Sequence, residues 1–159
     1  MRRIFPVLAL GAALLGADAL AQDAARPPVG PPISLEQAKK AIAAAEAEAV
    51  RNRWNTAIAI VEPNGALVYF VKMDGTQYSA VNAALDKATS AALFRRSTNA
   101  VNDAIKAGAT YLLQLRGTNS VPGGFPLVID GKLVGAIGTS GGTGEQDSQV
   151  SMAAVNAIK

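Results

Sequence analysis

Backbone N–H groups in a glycine turn, aimed along a helix axis, can hold a negatively charged group. The run GGFPLVIDGKLVGAIGTSGGTGEQD, Gly123 to Asp147, has this form. Two short apolar strands joined by Asp130-Gly131 lead into Ser140-Gly141-Gly142-Thr143, which opens a helix. The ligand-binding candidates here are Gly123, Gly124, Ser140, Gly141, Gly142 and Thr143. Lys87 is the second candidate. Its neighbours three and four residues away are Ala83, Ala84, Ser90 and Ala91, so no acid pairs with it along a helix. It either holds a ligand or extends its ammonium to water from a half-buried helix; spacing alone favours the latter. Glu145 and Asp147 follow the glycine turn and could move protons with Lys87. Acids in a first helical turn also simply complement the helix dipole, and there they oppose a bound anion. An anion at Gly141-Gly142 would need help from Lys87, Arg95, Arg96 or Arg116.

The composition narrows the chemistry. The 159 residues include no cysteine and no histidine. Disulfides, thiolate nucleophiles, Ser-His-Asp catalysis and ordinary zinc sites are therefore excluded, and no metal site is expected. Residues 1–21 read as a secretory signal: Arg2 and Arg3, an apolar stretch, then Ala19-Leu20-Ala21 as the cleavage site. Removing it leaves 13 basic and 11 acidic residues. That small excess, with no aromatic-interleaved basic patch, argues against nucleic acid. The mature protein is expected to be periplasmic or secreted, with no stable membrane insertion.

The elements that must position these residues can be read next. Residues 22–33 form a Pro-rich leader, expected to be flexible and to contribute nothing to the core. The domain spans residues 34–159. Ser34 with Gln37 predicts a capping box, opening a helix to about Asn52 with Leu35, Ala38, Ile42, Ala45 and Ala49 on one face. Strands at Ala57–Glu62 and Leu67–Met73 flank Pro63-Asn64-Gly65. Helices follow at Ser79–Phe94 and about Asn99–Ala107, then an irregular stretch, Tyr111–Pro122, that could act as a flap. A second hairpin covers Phe125–Thr139. A helix capped by Thr143 and Gln146 turns Val150, Ala154 and Ile158 inward. The order predicts an α+β single domain: an antiparallel sheet of four or five strands flanked by helices in a layered, profilin-like arrangement.

These blocks carry a resemblance. The LEQAKKAIAAAEAEA helix, the AIAIVEPNGALVYFVKMDG hairpin, KATSAALF with Lys87, Thr89 and Phe94, and the Gly123–Asp147 block resemble the GlcG/HbpS family of small haem-binding-type proteins. They are also similar to the C-terminal domain of PduO-type proteins. The resemblance implies the α+β fold, homo-oligomers and, in some members, binding of haem or a related tetrapyrrole; it adds Thr89 to the ligand-binding candidates. A histidine that ligates iron in a relative has no counterpart here, so haem would be held through its ring and propionates, or by Tyr or Met. Three readings follow. The first is an exported protein binding a small ligand, haem or another anionic cofactor. The second is an enzyme acting on a small organic acid or aromatic metabolite through Lys87 with Glu145 and Asp147. The third is an oligomeric accessory protein without a ligand.

Overall fold

The strand Ala57–Val61 (β1) is buried at all five positions, because both faces of the sheet are covered. Ile58 and Ile60 point into a cluster with Ile137 and Leu127, while Ala57, Ala59 and Val61 point into a second cluster with Ala136. The period-two alternation of a strand thus feeds two cores. In the computed structural model, which describes residues 26–159, β1 pairs antiparallel with Leu67–Lys72 (β2) on one side and Lys132–Ser140 (β4) on the other. Gly124–Ile129 (β3) pairs antiparallel with β4, giving the order β2-β1-β4-β3. The two predicted hairpins therefore sit side by side in one four-stranded sheet.

Leu35–Asn52 (α1) and Gly144–Ala157 (α4) pack on each other on one face, and Ser79–Phe94 (α2) covers the other. Both predicted capping boxes are present, at Ser34/Gln37 and Thr143/Gln146. Val150, Ala154 and Ile158 are buried as expected. The alanines of α2 have a specific use. A Cβ on Gly138 of β4 would lie 3.1 Å from the Ala88 Cα, so helix and sheet meet almost backbone to backbone. Larger side chains on either surface would force them apart. Thr98–Lys106 (α3) follows, starting one residue earlier than the sequence suggests because Ser97 caps it, its hydroxyl accepting from the Ala100 N–H.

Three expectations need correction. Leu35 is 51 % exposed; the inward stripe begins at Ala38, and Ile33, ahead of the cap, takes the core place as the outer half of a hydrophobic staple. Ile33 lies in residues 22–33, so that segment does contribute to the core. Its backbone follows β4: Gly30 N–H donates to the Leu133 carbonyl at 2.8 Å and Ile33 N–H to Val134 at 2.7 Å. The stretch expected as a flap contains a 3₁₀ turn, Thr110–Gln114, and is fastened beyond it, where the Asn119 N–H donates to Ser90 Oγ at 2.9 Å. The proposed signal, residues 1–21, lies outside the described residues. Among the described residues no helix is long and apolar enough to cross a membrane.

Candidate functional site

Lys87 leaves α2 on its sheet-facing side, level with the end of β4. It is 1 % exposed, so its ammonium does not reach water. It donates to the Thr139 carbonyl at 2.9 Å and to Asp147 Oδ2 at 2.8 Å. The missing acid comes from α4, sixty positions along the chain, where no helical spacing rule could find it. Asp147 is buried as well, and its other oxygen accepts the Gly142 N–H at 3.0 Å. The ion pair therefore links the helix on one face of the sheet to a helix on the other.

Gly123 is what lets the two meet. Its φ is +121°, and a Cβ there would lie 2.8 Å from the Thr139 oxygen and 3.2 Å from Lys87 Nζ. Hydrogen bonds close around the pair. The Gly124 N–H donates to Thr98 Oγ1 at 2.9 Å, and Ser151 Oγ donates to the Gly123 carbonyl at 2.8 Å while lying 2.8 Å from Thr139 Oγ1. The structure thus assembles Lys87, Gly123, Gly124, Gly142 and Asp147 around one buried pair. The anion held by the glycine turn is the protein's own Asp147 carboxylate.

The remaining candidates lie elsewhere. Thr89 is two residues from Lys87 and so faces another way; it lines a small groove with Asp86 and Thr118. Glu145 is exposed on the wall of a groove that includes Asn99, Asp103 and Lys106. Ser140 ends β4 opposite Ala57, and Thr143 caps α4. Lys87 and Asp147 face each other rather than either of these grooves.

On the outer side of the glycine turn lies an open groove of about 350 Å³. It is lined by Gly141, Gly142 and Gln146, by Arg53, Trp54 and Asn55, and by Gly75 and Gln77. The sequence reading overlooked this second group. Arg53 stands just past α1 in the left-handed conformation, φ 61°, ψ 39°, a place usually given to glycine. It is exposed, whereas Trp54 is half-buried, its body packed on the α1/α4 core. The end of α1 from which both emerge is tied to α4. Glu48, 7 % exposed, accepts from Gln149 Nε2 at 2.6 Å and Asn52 Nδ2 at 2.9 Å and also pairs with Arg51. Gly141 lies so close to the neighbouring strand that a Cβ would be 2.9 Å from the Thr56 Cα. The groove wall contains a guanidinium, an indole and three side-chain amides, and no carboxylate. Such a wall suits a flat anionic ligand: the indole offers a face and the guanidinium a two-pronged donor. A signal was available, since Trp54 is the sole tryptophan of the chain and sits between Arg53 and Asn55 at a helix–strand junction.

Comparison with known proteins agrees with this architecture. Residues 33–156 match the family model described as "Haem degrading protein HbpS-like". Protein GlcG of Escherichia coli K12 is 38 % identical over 108 residues, 68 % of this chain and 81 % of that protein. A double mutant of Streptomyces reticuli HbpS superposes with a TM-score of 0.77 at 26 % identity, covering 99 % of both chains. The PduOC:haem complex shares the fold, with a TM-score of 0.73 at 24 % identity, covering 80 % of this chain and 96 % of that one. With its fold and nearly all of its described length accounted for, the chain belongs to the HbpS-like family.

Proposed function

We propose that this protein, after export to the periplasm or beyond the cell, binds haem or a closely related tetrapyrrole in the groove between Arg53-Trp54-Asn55 and Gly141-Gly142. The carrying observation is that groove wall: an exposed guanidinium beside a half-buried indole, with no acid facing them. The family's description and the haem held by PduOC on the same fold support the choice of ligand. At about 350 Å³ the groove lies at the small end of ligand sites, so it takes one edge and face of a tetrapyrrole rather than enclosing it. Arg53 fits a propionate, and Trp54 fits a ring face. The wall does not fit the iron, for it presents no imidazole, thiolate, thioether or phenolate. In this reading the protein holds and orients its ligand, and the Lys87–Asp147 pair keeps the glycine turn rigid behind it. Homo-oligomer formation belongs to the same proposal. Leu93, Tyr111, Leu113 and Leu115, between 44 % and 63 % exposed, supply apolar surface for subunit contact.

Trp54 makes the test direct, because its fluorescence reports on the groove alone. Hemin should quench it saturably, beyond the quenching of free N-acetyltryptophanamide measured in parallel. Arg53→Glu should weaken binding about tenfold or more, the loss of one charge-assisted hydrogen bond. Quenching that follows the free-indole control throughout the titration would refute the proposal.

A further inference from the structure

We infer that recognition in this groove is independent of iron, so that a metal-free tetrapyrrole dicarboxylate is as good a ligand as haem. The inference rests on the tetrapyrrole reading above and concerns which part of the ligand the protein reads. The chain contains no histidine and no cysteine anywhere. Its remaining candidate iron ligands among the described residues are Tyr69, Tyr78, Tyr111, Met73 and Met152, and none lines the groove. Tyr69 and Met73 pack against the α1/α4 core, and the Met73 sulfur accepts from Thr56 Oγ1 at 3.5 Å. Tyr78 follows Gln77 of the groove but is 90 % exposed, with the Lys72 ammonium 5.7 Å above its ring. Tyr111 belongs to the 3₁₀ turn and Met152 to the body of α4.

What the groove does offer acts on the periphery of the ligand. Arg53 and the Asn55, Gln77 and Gln146 side chains carry N–H donors for carboxylates and ring-edge acceptors, and Trp54 offers a surface to a conjugated plane. These interactions are the same whether the ring centre holds iron or two protons. The strain at Arg53 points the same way. The left-handed conformation is disfavoured for a residue with a Cβ, and at this position the side chain so held lines an acid-free groove. Among the described residues, the other arginine at a left-handed helix end, Arg95, has a partner for its guanidinium in the Pro27 carbonyl at 3.3 Å.

The experiment compares hemin, protoporphyrin IX and the dimethyl ester of protoporphyrin IX by quenching of Trp54 in the full-length mature protein, with absorption spectra recorded alongside. Hemin and protoporphyrin IX should bind with dissociation constants within threefold of each other. The dimethyl ester should bind at least tenfold more weakly, and Arg53→Glu should weaken the two acids by the same factor. Hemin binding tenfold or more tightly than protoporphyrin IX, or acquiring a six-coordinate low-spin spectrum on binding, overturns the inference while leaving haem as the ligand. An ester that binds as well as the acids overturns it too, because the carboxylates would then not be read. Failure of all three to quench sinks the tetrapyrrole reading together with the inference.

Discussion

The glycine turn at Gly141-Gly142 has two sides, and they do opposite things with charge. On the inner side the Asp147 carboxylate takes the Gly142 N–H and the Lys87 ammonium, and both charged side chains are buried. On the outer side Arg53 stands exposed over an open groove whose wall has no acid. Residue types alone would place a ligand at the inner side, where glycines, a lysine and the Asp147 carboxylate cluster. The structure shows that those groups satisfy one another and so hold the fold together. An anion site needs donors that the chain has not already used, and these are found on the outer side. The lesson concerns pairing: a buried charge with its partners in place is architecture, and a charge presented beside a flat apolar face is an invitation to a ligand.

The sharpest way to break this comparison is to disarm the inner side. Lys87→Met removes the ammonium and leaves Asp147 buried without its counter-charge. Such a change costs about 3–5 kcal/mol, the largest effect anticipated here, and urea unfolding measures it. Adding Asp147→Leu removes the stranded charge, so the double variant should recover a substantial part of the loss. If Lys87→Met unfolds at the wild-type urea concentration, the pair is not the lock between α2 and α4. Gly123→Ala tests the same region without touching a charge. The added Cβ would meet the Thr139 oxygen at 2.8 Å in a backbone conformation with φ +121°. Strain and overpacking together should cost about 2–3 kcal/mol. A thermal midpoint unchanged from wild type would show that the approach of Lys87 to Asp147 does not depend on this residue.

Much of the scaffold was legible because it is local. The two capping boxes, the Asp130-Gly131 and Asn64-Gly65 turns and the unbroken apolar run of β1 each fix an element within a few residues. Hydrophobic alternation and short loops then leave few arrangements besides two hairpins with helices against them. What was not legible is long-range pairing. Nothing in the neighbourhood of Lys87 announces Asp147, and nothing near Glu48 announces Gln149, 101 positions away. The core role of Ile33 was hidden by the prolines around it, which suggest an unattached leader although its backbone bonds to β4. The groove was missed for another reason. Its residues come from three separate junctions, Arg53–Asn55, Gly75–Gln77 and Gly141–Gln146, and each looks like an ordinary connection between elements. Only the sheet, by placing the ends of β1, β2 and β4 side by side, turns three connections into one site.

The smallest expected effect sharpens the comparison most, because stability and binding should move in opposite directions. Arg53 occupies the position just past a helix where glycine is favoured, and it does so with φ 61°. Glycine there would relieve the left-handed strain of a residue with a Cβ, offset in part by greater freedom of the unfolded chain. Arg53→Gly should therefore raise stability by about 0.5–1 kcal/mol, since Arg53 is exposed and its removal strands no buried partner. The same substitution removes the guanidinium and should weaken quenching by protoporphyrin IX about tenfold. A variant that is both less stable and equally able to bind would mean that Arg53 is part of the architecture, as Lys87 is. The two sides of the glycine turn would then no longer differ in kind. A gain in stability with a loss of binding is what separates a residue kept for its ligand from one kept for the fold.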